Sequence, residues 1–217
     1  ERVHLPELSA LSEPKAAVFI PRKQWFVVGD KHGNIKVCSD ETMQQVPVGV
    51  VLKVPAYWVS SFNVHPSEPY VLSLSFMDGS VKMWNWEMDW ECVRTFDVKA
   101  REVKFNPKDA DYFACTTLNG LKVWNIASQG SDNLTFSFGS SYVTHLDYLS
   151  RGDELYLITG HSDGSVEIWD WQSRSCLKTL KEHTDWVDTT CAHPDLPLFI
   201  TGSYDGTVCL WNSCNFK

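Results

Sequence analysis

The sequence lacks the cysteine spacing of a disulfide-bonded or zinc-binding protein. Its seven cysteines are an odd number, and no two of them form a CxxC pair. An odd count argues against a disulfide framework, and the missing CxxC pairs argue against a zinc ribbon. We therefore expect most of the cysteines to be small buried apolar residues on strands, in a protein of a reducing compartment.

Long apolar runs and an excess of positive charge are also missing. The chain opens with Glu1-Arg2-Val3-His4, which does not resemble a secretory signal, and no stretch predicts a membrane span. The net charge is -8, from 27 acidic and 19 basic residues. Because phosphate backbones bind basic surfaces, this balance argues against nucleic acid as the main partner and suits a basic peptide better. We expect a soluble cytoplasmic protein with no direct membrane insertion.

Motifs for metal and nucleotide binding are absent as well. The seven histidines show no HxH or HExxH spacing, so the sequence predicts no metal site. There is no GxGxxG or GxxxxGK stretch that would predict nucleotide binding. We therefore expect a protein that uses no cofactor and is not an enzyme.

What the sequence does contain is a repeat built on five glycine turns, at Gly33, Gly79, Gly120, Gly164 and Gly206. Each glycine follows an apolar run and a polar turn, and it precedes an alternating strand that ends in Trp or a substitute. Such a turn between two alternating runs predicts a hairpin, because glycine tolerates positive φ. Successive glycines lie roughly 40 to 46 residues apart, which is the period of a four-stranded propeller blade.

The number of predicted strands indicates how the blades are arranged. Each of the five units shows three strands, and the first four also show an outer strand, at Gln44–Val48 in the first unit. The fifth unit lacks an outer strand, but a further strand is predicted at Glu1–Leu8. We predict one all-β domain over residues 1–217, a propeller of five four-stranded blades closed by pairing of the N-terminal strand with the last blade. The alternative is a fragment of a longer ring.

Several phrases of the repeat, in the right order and spacing, resemble the WD40 family. They are Trp84–Trp86, Phe105–Asp109, Tyr156–Gly160, Ile168–Trp171 and His193–Pro197. More narrowly, they are similar to the N-terminal propeller of the coatomer beta-prime family, over almost the whole chain from about Pro14 onward. The resemblance implies a seven-bladed ring, of which this chain would match five blades. It also implies binding of C-terminal dilysine signals of membrane cargo in vesicle transport.

The resemblance further implies a peptide-binding top face, which falls at Lys15, Tyr57, Phe76, Met77 and Ser162. Lys15 stands where the family has a carboxylate-binding arginine, so it keeps the charge but loses the planar pair of donors. Acidic residues of the family are replaced here by Ala56, Phe76, Met77 and Ser162. Because the family binds the lysines of its ligand with those acids, we expect dilysine binding to be weak or absent.

One set of polar residues has two interpretations. In the fifth unit, the resemblance implies a structural tetrad of His183, Thr201, Asp205 and Trp211. A hydroxyl, a histidine and an acid also suggest a hydrolase triad. We favour the structural role, because a buried histidine that links an acid to a hydroxyl and an indole satisfies groups that are costly to leave unpaired. No nucleophile elbow accompanies the set. The fourth unit repeats the tetrad without its histidine, at Thr159, Asp163 and Trp169.

Three tryptophans outside the repeat positions also have two interpretations. Trp86, Trp90 and Trp171 lie at predicted strand ends. They either pack at the edge of a sheet or stay exposed as anchors for a partner.

Two functions are consistent with the sequence. The first is a non-enzymatic scaffold that binds protein or peptide and is linked to vesicle transport and cargo-signal recognition. Its partners would be other coatomer subunits or cargo tails, and it would lie in the cytoplasm or at the periphery of Golgi or vesicle membranes. The second is a detached, diverged propeller that serves as a bait or scaffold module in another protein and has lost dilysine binding. In both, the loops at one rim of a rigid ring would carry recognition.

Overall fold

The computed structural model describes residues 13–39, 52–53, 58–118, 120–128, 134–136 and 141–216. In these ranges the chain forms 19 strands in five antiparallel sheets. The helical segments there are the single 3-10 turns Pro21–Lys23 and Trp86–Met88, and neither has the length to cross a membrane. Residue contacts group the chain into two compact units, Glu1–Val103 and Lys104–Lys217. The single domain expected from the sequence stays a prediction.

The first two sheets contain strands β1 (Pro14–Ile20), β2 (Trp25–Asp30), β3 (Asn34–Ser39) and β4 (Leu52–Lys53), then β5 (Val59–Val64), β6 (Tyr70–Ser75), β7 (Val81–Asn85) and β8 (Glu91–Phe96). Consecutive strands pair antiparallel in both. The turns after the second strands contain Gly33 at φ 78° and Gly79 at φ 66°, the left-handed region that favours glycine. The outer strand predicted at Gln44–Val48 lies outside the described residues.

The remaining strands form three more sheets. They are β9 (Ala100–Phe105), β10 (Tyr112–Thr117), β11 (Gly120–Asn125) and β12 (Leu134–Phe136); β13 (Val143–Arg151), β14 (Glu154–His161), β15 (Val166–Asp170) and β16 (Cys176–Leu180); and β17 (Val187–Ala192), β18 (Leu198–Ser203) and β19 (Val208–Asn212). The five predicted units therefore correspond to the five sheets. The fifth sheet has three strands within the described ranges. The strand expected to complete it, Glu1–Leu8, falls outside them, so closure by this strand stays a prediction.

Trp86 and Trp90 belong to the core of the compact unit Glu1–Val103 and are not exposed anchors. Only 7% and 3% of their surfaces are exposed, and their ring centroids lie 6.3 Å apart. The Trp90 ring also lies 6.3 Å from Trp25, and the Arg22 guanidinium lies 5.5 Å from the Trp86 centroid. Edge packing is therefore the correct interpretation of these two tryptophans.

Trp171, in the compact unit Lys104–Lys217, also packs against its neighbours. Its half-buried ring lies 5.5 Å from Tyr148 on β13 and 6.0 Å from Phe136 on β12. These contacts add to an apolar cluster of the third and fourth sheets that includes Leu146 and Leu157. Trp171 thus contributes to packing between sheets.

The fifth sheet leaves exposed a face that the fourth sheet buries. Three apolar positions recur 42 residues apart in the two sheets: Ile158 and Ile200, Val166 and Val208, Ile168 and Leu210. The fourth-sheet members are 0%, 1% and 0% exposed, whereas the fifth-sheet members are 41%, 73% and 65% exposed. The fourth-sheet residues share an apolar cluster with Val187 and Phe199 of the fifth sheet. Burial at these positions is therefore decided by the neighbouring sheet and not by the residue type.

The cysteines correct one expectation. All seven are free thiols, of which Cys38 and Cys115 are buried, Cys92 and Cys209 are half-buried, and Cys176, Cys191 and Cys214 are exposed. The expectation that most would be buried is wrong. In β16, for example, only Leu180 is buried, because this outer strand has a pairing partner on one side only. Strand residues on such an edge remain open to solvent.

Candidate functional site

At one end of four sheets, the residue before the first strand is bonded to the residue after the second strand. The N–H of the later residue donates to the carbonyl of the earlier one at 3.0 to 3.2 Å. We call these the rim pairs: Glu13 with Lys31, Trp58 with Phe76, Tyr142 with Ser162, and Trp186 with Tyr204. The bond satisfies backbone groups beyond the end of the strand ladder. It also holds two side chains at the same end of each sheet.

The described residues that the sequence assigned to a top face, Lys15, Phe76, Met77 and Ser162, lie at or beside the rim pairs. Phe76 and Ser162 are members, Met77 follows Phe76, and Lys15 lies two residues after Glu13. Tyr57 is outside the described part of the chain. The binding role of these residues stays a prediction, but each one that the structure describes lies at the same end of its own sheet.

The first rim pair is an ion pair that also involves Lys15. The Glu13 carboxylate lies 2.5 Å from Lys31 Nζ and 3.6 Å from Lys15 Nζ. The hydrogen bond and charge of Lys31, followed by Lys15, hold the pKa of Glu13 below its ordinary value. Because Lys15 already has a carboxylate neighbour, a carboxylate ligand would have to compete with Glu13 for it.

The second rim pair is an exposed aromatic stack. The rings of Trp58 and Phe76 are 4.4 Å apart with an interplanar angle of 18°. Phe76 is 55% exposed and Met77 is 59% exposed, so the outer side of the stack is a small apolar surface. A cavity of about 270 Å³ lies beside Phe76 and is also lined by Ala100 and Arg101. This arrangement suits an apolar side chain of a partner.

The third and fourth rim pairs include aromatic residues that the sequence interpretation missed. Tyr142 is 53% exposed, and its N–H also donates to the Ser162 hydroxyl at 3.0 Å. Tyr204 is 67% exposed, and its ring lies 6.4 Å from the Trp186 ring at an angle of 51°. The signal that would have found them is positional, since each pair joins residues 18 to 20 apart around the first hairpin of a unit. The side-chain types at these positions vary too much between the repeat units to reveal the pairs.

The structure brings the four predicted tetrad residues of the fifth sheet together. The Trp211 indole donates to Thr201 Oγ1 at 2.9 Å, and Thr201 Oγ1 lies 2.8 Å from His183 Nε2. His183 Nδ1 lies 3.1 Å from Asp205 Oδ2. Hydrogen bonding by the Thr207 hydroxyl, together with backbone N–H groups and His183, holds the pKa of Asp205 well below its ordinary value.

This geometry fits a structural tetrad better than a hydrolase triad. Thr201 is 0% exposed, and its hydroxyl oxygen already accepts the indole hydrogen bond. A nucleophile must reach a substrate carbonyl, and this oxygen has no open side. The chain of bonds instead joins β18, β19 and the loop before β17, which stabilises the sheet.

Comparison with known proteins supports the repeat found in the sequence. The family profile described as WD domain, G-beta repeat matches residues 49–85, 131–170 and 174–212, which is more than half of the chain. The chain belongs to the WD40 family. It superposes on the β-propeller domain of Cps50 (Swd1) from Myceliophteria thermophila with a TM-score of 0.79, over 92% of this chain and 66% of that one. At 15% identity this similarity shows the fold alone.

Among curated proteins, the WD40 chain is similar to coatomer beta-prime subunits. It is 40% identical to coatomer subunit beta'-2 of Arabidopsis thaliana over 118 residues, which is 52% of this chain and 13% of that protein. It is 36% identical to the probable subunit of Schizosaccharomyces pombe over 135 residues, or 60% of this chain and 17% of that protein. The rat subunit is 35% identical over 138 residues, 62% of this chain and 15% of that protein. The chain thus spans less than a fifth of these relatives.

In the fourth sheet of this WD40 chain a different histidine, His161, lies beside the tetrad threonine Thr159. The sequence interpretation found no histidine for Thr159, but His161 Nε2 lies 2.9 Å from the Thr159 hydroxyl. The His161 side chain is fully buried and lies 3.3 Å from Glu167 and 3.2 Å from Ser141. Ser141 stands 42 residues before His183, in the equivalent loop position. In the fourth sheet the loop therefore supplies the Ser141 hydroxyl where the fifth sheet has the His183 imidazole, and the imidazole comes from strand β14.

A second polar network joins the first strands of the third, fourth and fifth sheets. Lys104 Nζ lies 3.8 Å from Asp147, which also accepts the Ala192 N–H at 2.9 Å. His145 Nδ1 accepts the Thr190 N–H at 3.1 Å. Burial, and then the Lys104 charge, lowers the pKa of His145 to about 4, while burial raises the pKa of Asp147. His145 is therefore neutral at physiological pH.

In the described ranges, no cluster of three or more histidine, cysteine, aspartate or glutamate side chains is arranged to hold a metal ion. Each rim pair is thus a candidate functional site at the end of its own sheet. The pairs offer exposed aromatic and charged side chains on rigid sheet ends, which suits binding of another protein.

Proposed function

We propose that this WD40 chain is a non-enzymatic scaffold that binds a protein or peptide at the rim pair of Trp58 and Phe76, extended by Met77. The observation that carries the proposal is the exposure of this stack, with Phe76 at 55% and Met77 at 59%. Exposed aromatic and methionine side chains are enriched at protein interfaces. Phe76 and Met77 adjoin each other, and contiguous exposed apolar surface marks interaction sites more often than apolar residues scattered singly.

The role of this surface is in vesicle coats, as part of the cytoplasmic assembly on Golgi or vesicle membranes. The similarity to coatomer beta-prime subunits of a plant, a yeast and the rat supports this assignment. The partner is another coatomer subunit and not a dilysine cargo tail. Phe76, Met77 and Ser162 offer no carboxylate to bind lysine, and Lys15 already lies 3.6 Å from Glu13.

Capture of purified coatomer by the immobilised chain tests the proposal. Phe76→Ala and Met77→Ala together reduce capture at least tenfold, since truncating central aromatic contacts costs about 2 kcal/mol or more. Leu196→Ala is the matched control, because Leu196 is 50% exposed in the turn between β17 and β18, at the end of the fifth sheet away from that sheet's own rim pair. Capture that is absent, or that survives the double change, contradicts the proposal.

The second candidate is a detached propeller that serves as bait in another protein and has lost cargo recognition. The exposed apolar side chains of Phe76 and Met77, in place of the acids that the family resemblance implies, favour it. A calorimetric titration with a peptide that ends in a KKxx-type signal tests the loss of cargo recognition. Heat at low micromolar peptide would show that dilysine recognition survives and would remove this candidate. Absence of coatomer capture together with absence of peptide heat would favour it over the coat role.

A further inference from the structure

The fifth sheet ends in a strand with an open edge. Within the described ranges β19 pairs with β18 only, whereas the third strand of each other sheet also pairs with an outer strand. The Ser203 N–H donates to the Thr207 carbonyl at 3.1 Å, and hydrogen-bonded pairs alternate along an antiparallel ladder. The N–H and C=O groups of Val208 and Leu210 therefore point away from β18, towards the open edge.

A groove of about 550 Å³ lies beside this edge, between β19 and residues 178–182 of β16 and its following loop. Leu180 stands opposite Val166 in the ladder with β15, and Lys178 lies two residues before it on the same face. The fifth sheet packs on that face through Val187. The groove therefore occupies the place that an outer strand of the fifth sheet would take.

The groove combines apolar side chains with positive charge. Leu180 and Trp211 are 7% and 5% exposed, and the half-buried Phe216 also lines the groove. Lys178 is exposed, and the residues that line the groove include two lysines and one acid, in a chain whose net charge is -8. An extended segment that places an acid over Lys178 and an apolar residue over Leu180 complements both features.

We propose that the edge of β19 binds an extended segment of a partner protein, with alternating acidic and apolar residues on one face, as the fourth strand of the fifth sheet. Backbone hydrogen bonds supply affinity, and the side chains that face the groove supply specificity. The segment pairs antiparallel with β19, as β16 does with β15, so its acid precedes its apolar residue by two positions. The groove lies within the compact unit Lys104–Lys217 and uses none of the residues assigned to coat binding, so the two proposals stand or fall separately.

A partner strand has an advantage over Glu1–Leu8, the segment that the sequence predicts for this edge. Pro6 lies within that segment and cannot donate to a ladder. A segment without proline pairs along all five residues of β19, a length of about 17 Å. We therefore expect a proline-free segment to bind the full chain with Glu1–Leu8 present.

Calorimetric titration of the full chain with the capped heptapeptide Thr-Glu-Thr-Val-Thr-Val-Thr tests the proposal, because its glutamate and two valines share one face of a strand. Amide hydrogen exchange followed by NMR reports the pairing itself, and saturating peptide slows exchange of the Val208 and Leu210 N–H groups by about tenfold or more. Proline in place of the peptide's first valine abolishes binding. Lysine in place of its glutamate weakens binding by about twofold to fivefold.

Variants of the chain separate strand addition from general attraction. Lys178→Glu reverses the preference between the glutamate and lysine peptides, whereas the same charge change at Lys99, exposed between β8 and β9, leaves both affinities within about twofold. Leu210→Pro removes an edge N–H and abolishes binding, whereas Leu210→Ala keeps that N–H and still binds. Absence of binding, or binding that leaves exchange at Val208 and Leu210 unchanged, would overturn the proposal. Slow exchange of both amides before peptide is added would show that Glu1–Leu8 or a second copy already fills the edge, and would overturn it as well.

Discussion

Val166 and Val208 provide a matched test of what burial contributes in this fold. They are the same residue at the same position of the repeat, 42 residues apart, yet Val166 is 1% exposed and Val208 is 73% exposed. Val166→Ala removes two buried methyl groups and leaves a cavity, which costs about 2 to 3 kcal/mol. Val208→Ala removes methyl groups that water already contacts, so burial contributes about 0.5 kcal/mol or less. The loss of strand propensity is shared by both variants and cancels in the difference.

Urea denaturation followed by tryptophan fluorescence measures the two free energies of unfolding. We expect Val166→Ala to cost at least about 1.5 kcal/mol more than Val208→Ala. Ile158→Val and Ile200→Val form a second pair with the same expected order, since the first is 0% and the second 41% exposed. Equal costs within about 0.5 kcal/mol would refute the reasoning and show that the outer face of the fifth sheet is covered in solution. A cost for Val208→Ala that grows with protein concentration would identify another copy of the chain as the cover.

Three further outcomes are expected in stability measurements. Thr201→Val breaks the buried tetrad and lowers the free energy of unfolding in urea by about 2 to 4 kcal/mol. The same change at exposed Thr189 alters the free energy of unfolding by no more than about 0.5 kcal/mol. Gly164→Ala lowers the melting temperature more than Gly206→Ala, because both have positive φ but only Gly164 would place a Cβ 2.5 Å from a backbone oxygen, that of His183. Between pH 6.5 and about 4 the unfolded chain protonates His145, whereas the folded chain does not. The free energy of unfolding therefore decreases by up to roughly 3 kcal/mol as the pH is lowered through this range. His145→Asn removes this part of the pH dependence in urea titrations.

The repeat could be predicted from sequence because its signals are local. A glycine that must adopt positive φ marks each hairpin, and Gly33, Gly79, Gly120, Gly164 and Gly206 all have φ between 66° and 113°. Alternating apolar residues mark the strands on either side. These requirements act within about ten residues, so they are visible without knowledge of the neighbouring sheets.

Long-range contacts could not be predicted in the same way. The sequence left Trp86 open between edge packing and an exposed anchor, and only its contacts with Trp90 and Arg22 decided the matter. His161 was overlooked because it occupies a strand position, whereas the tetrad histidine of the fifth unit comes from a loop. Trp186 and Tyr204 form a pair only after the hairpin folds back. Each of these depends on residues that are distant along the chain.

The sequence alone determined the WD40 repeat, the number of sheets and the positions of their turns, because hairpin formation depends on neighbouring residues. Tertiary structure alone decided which side chains of equivalent positions are covered. Ile158 and Ile200 have the same local pattern, yet the first lies beneath another sheet and the second is open to solvent. Burial is a property of the space next to a residue, and that space is filled by residues from another part of the fold.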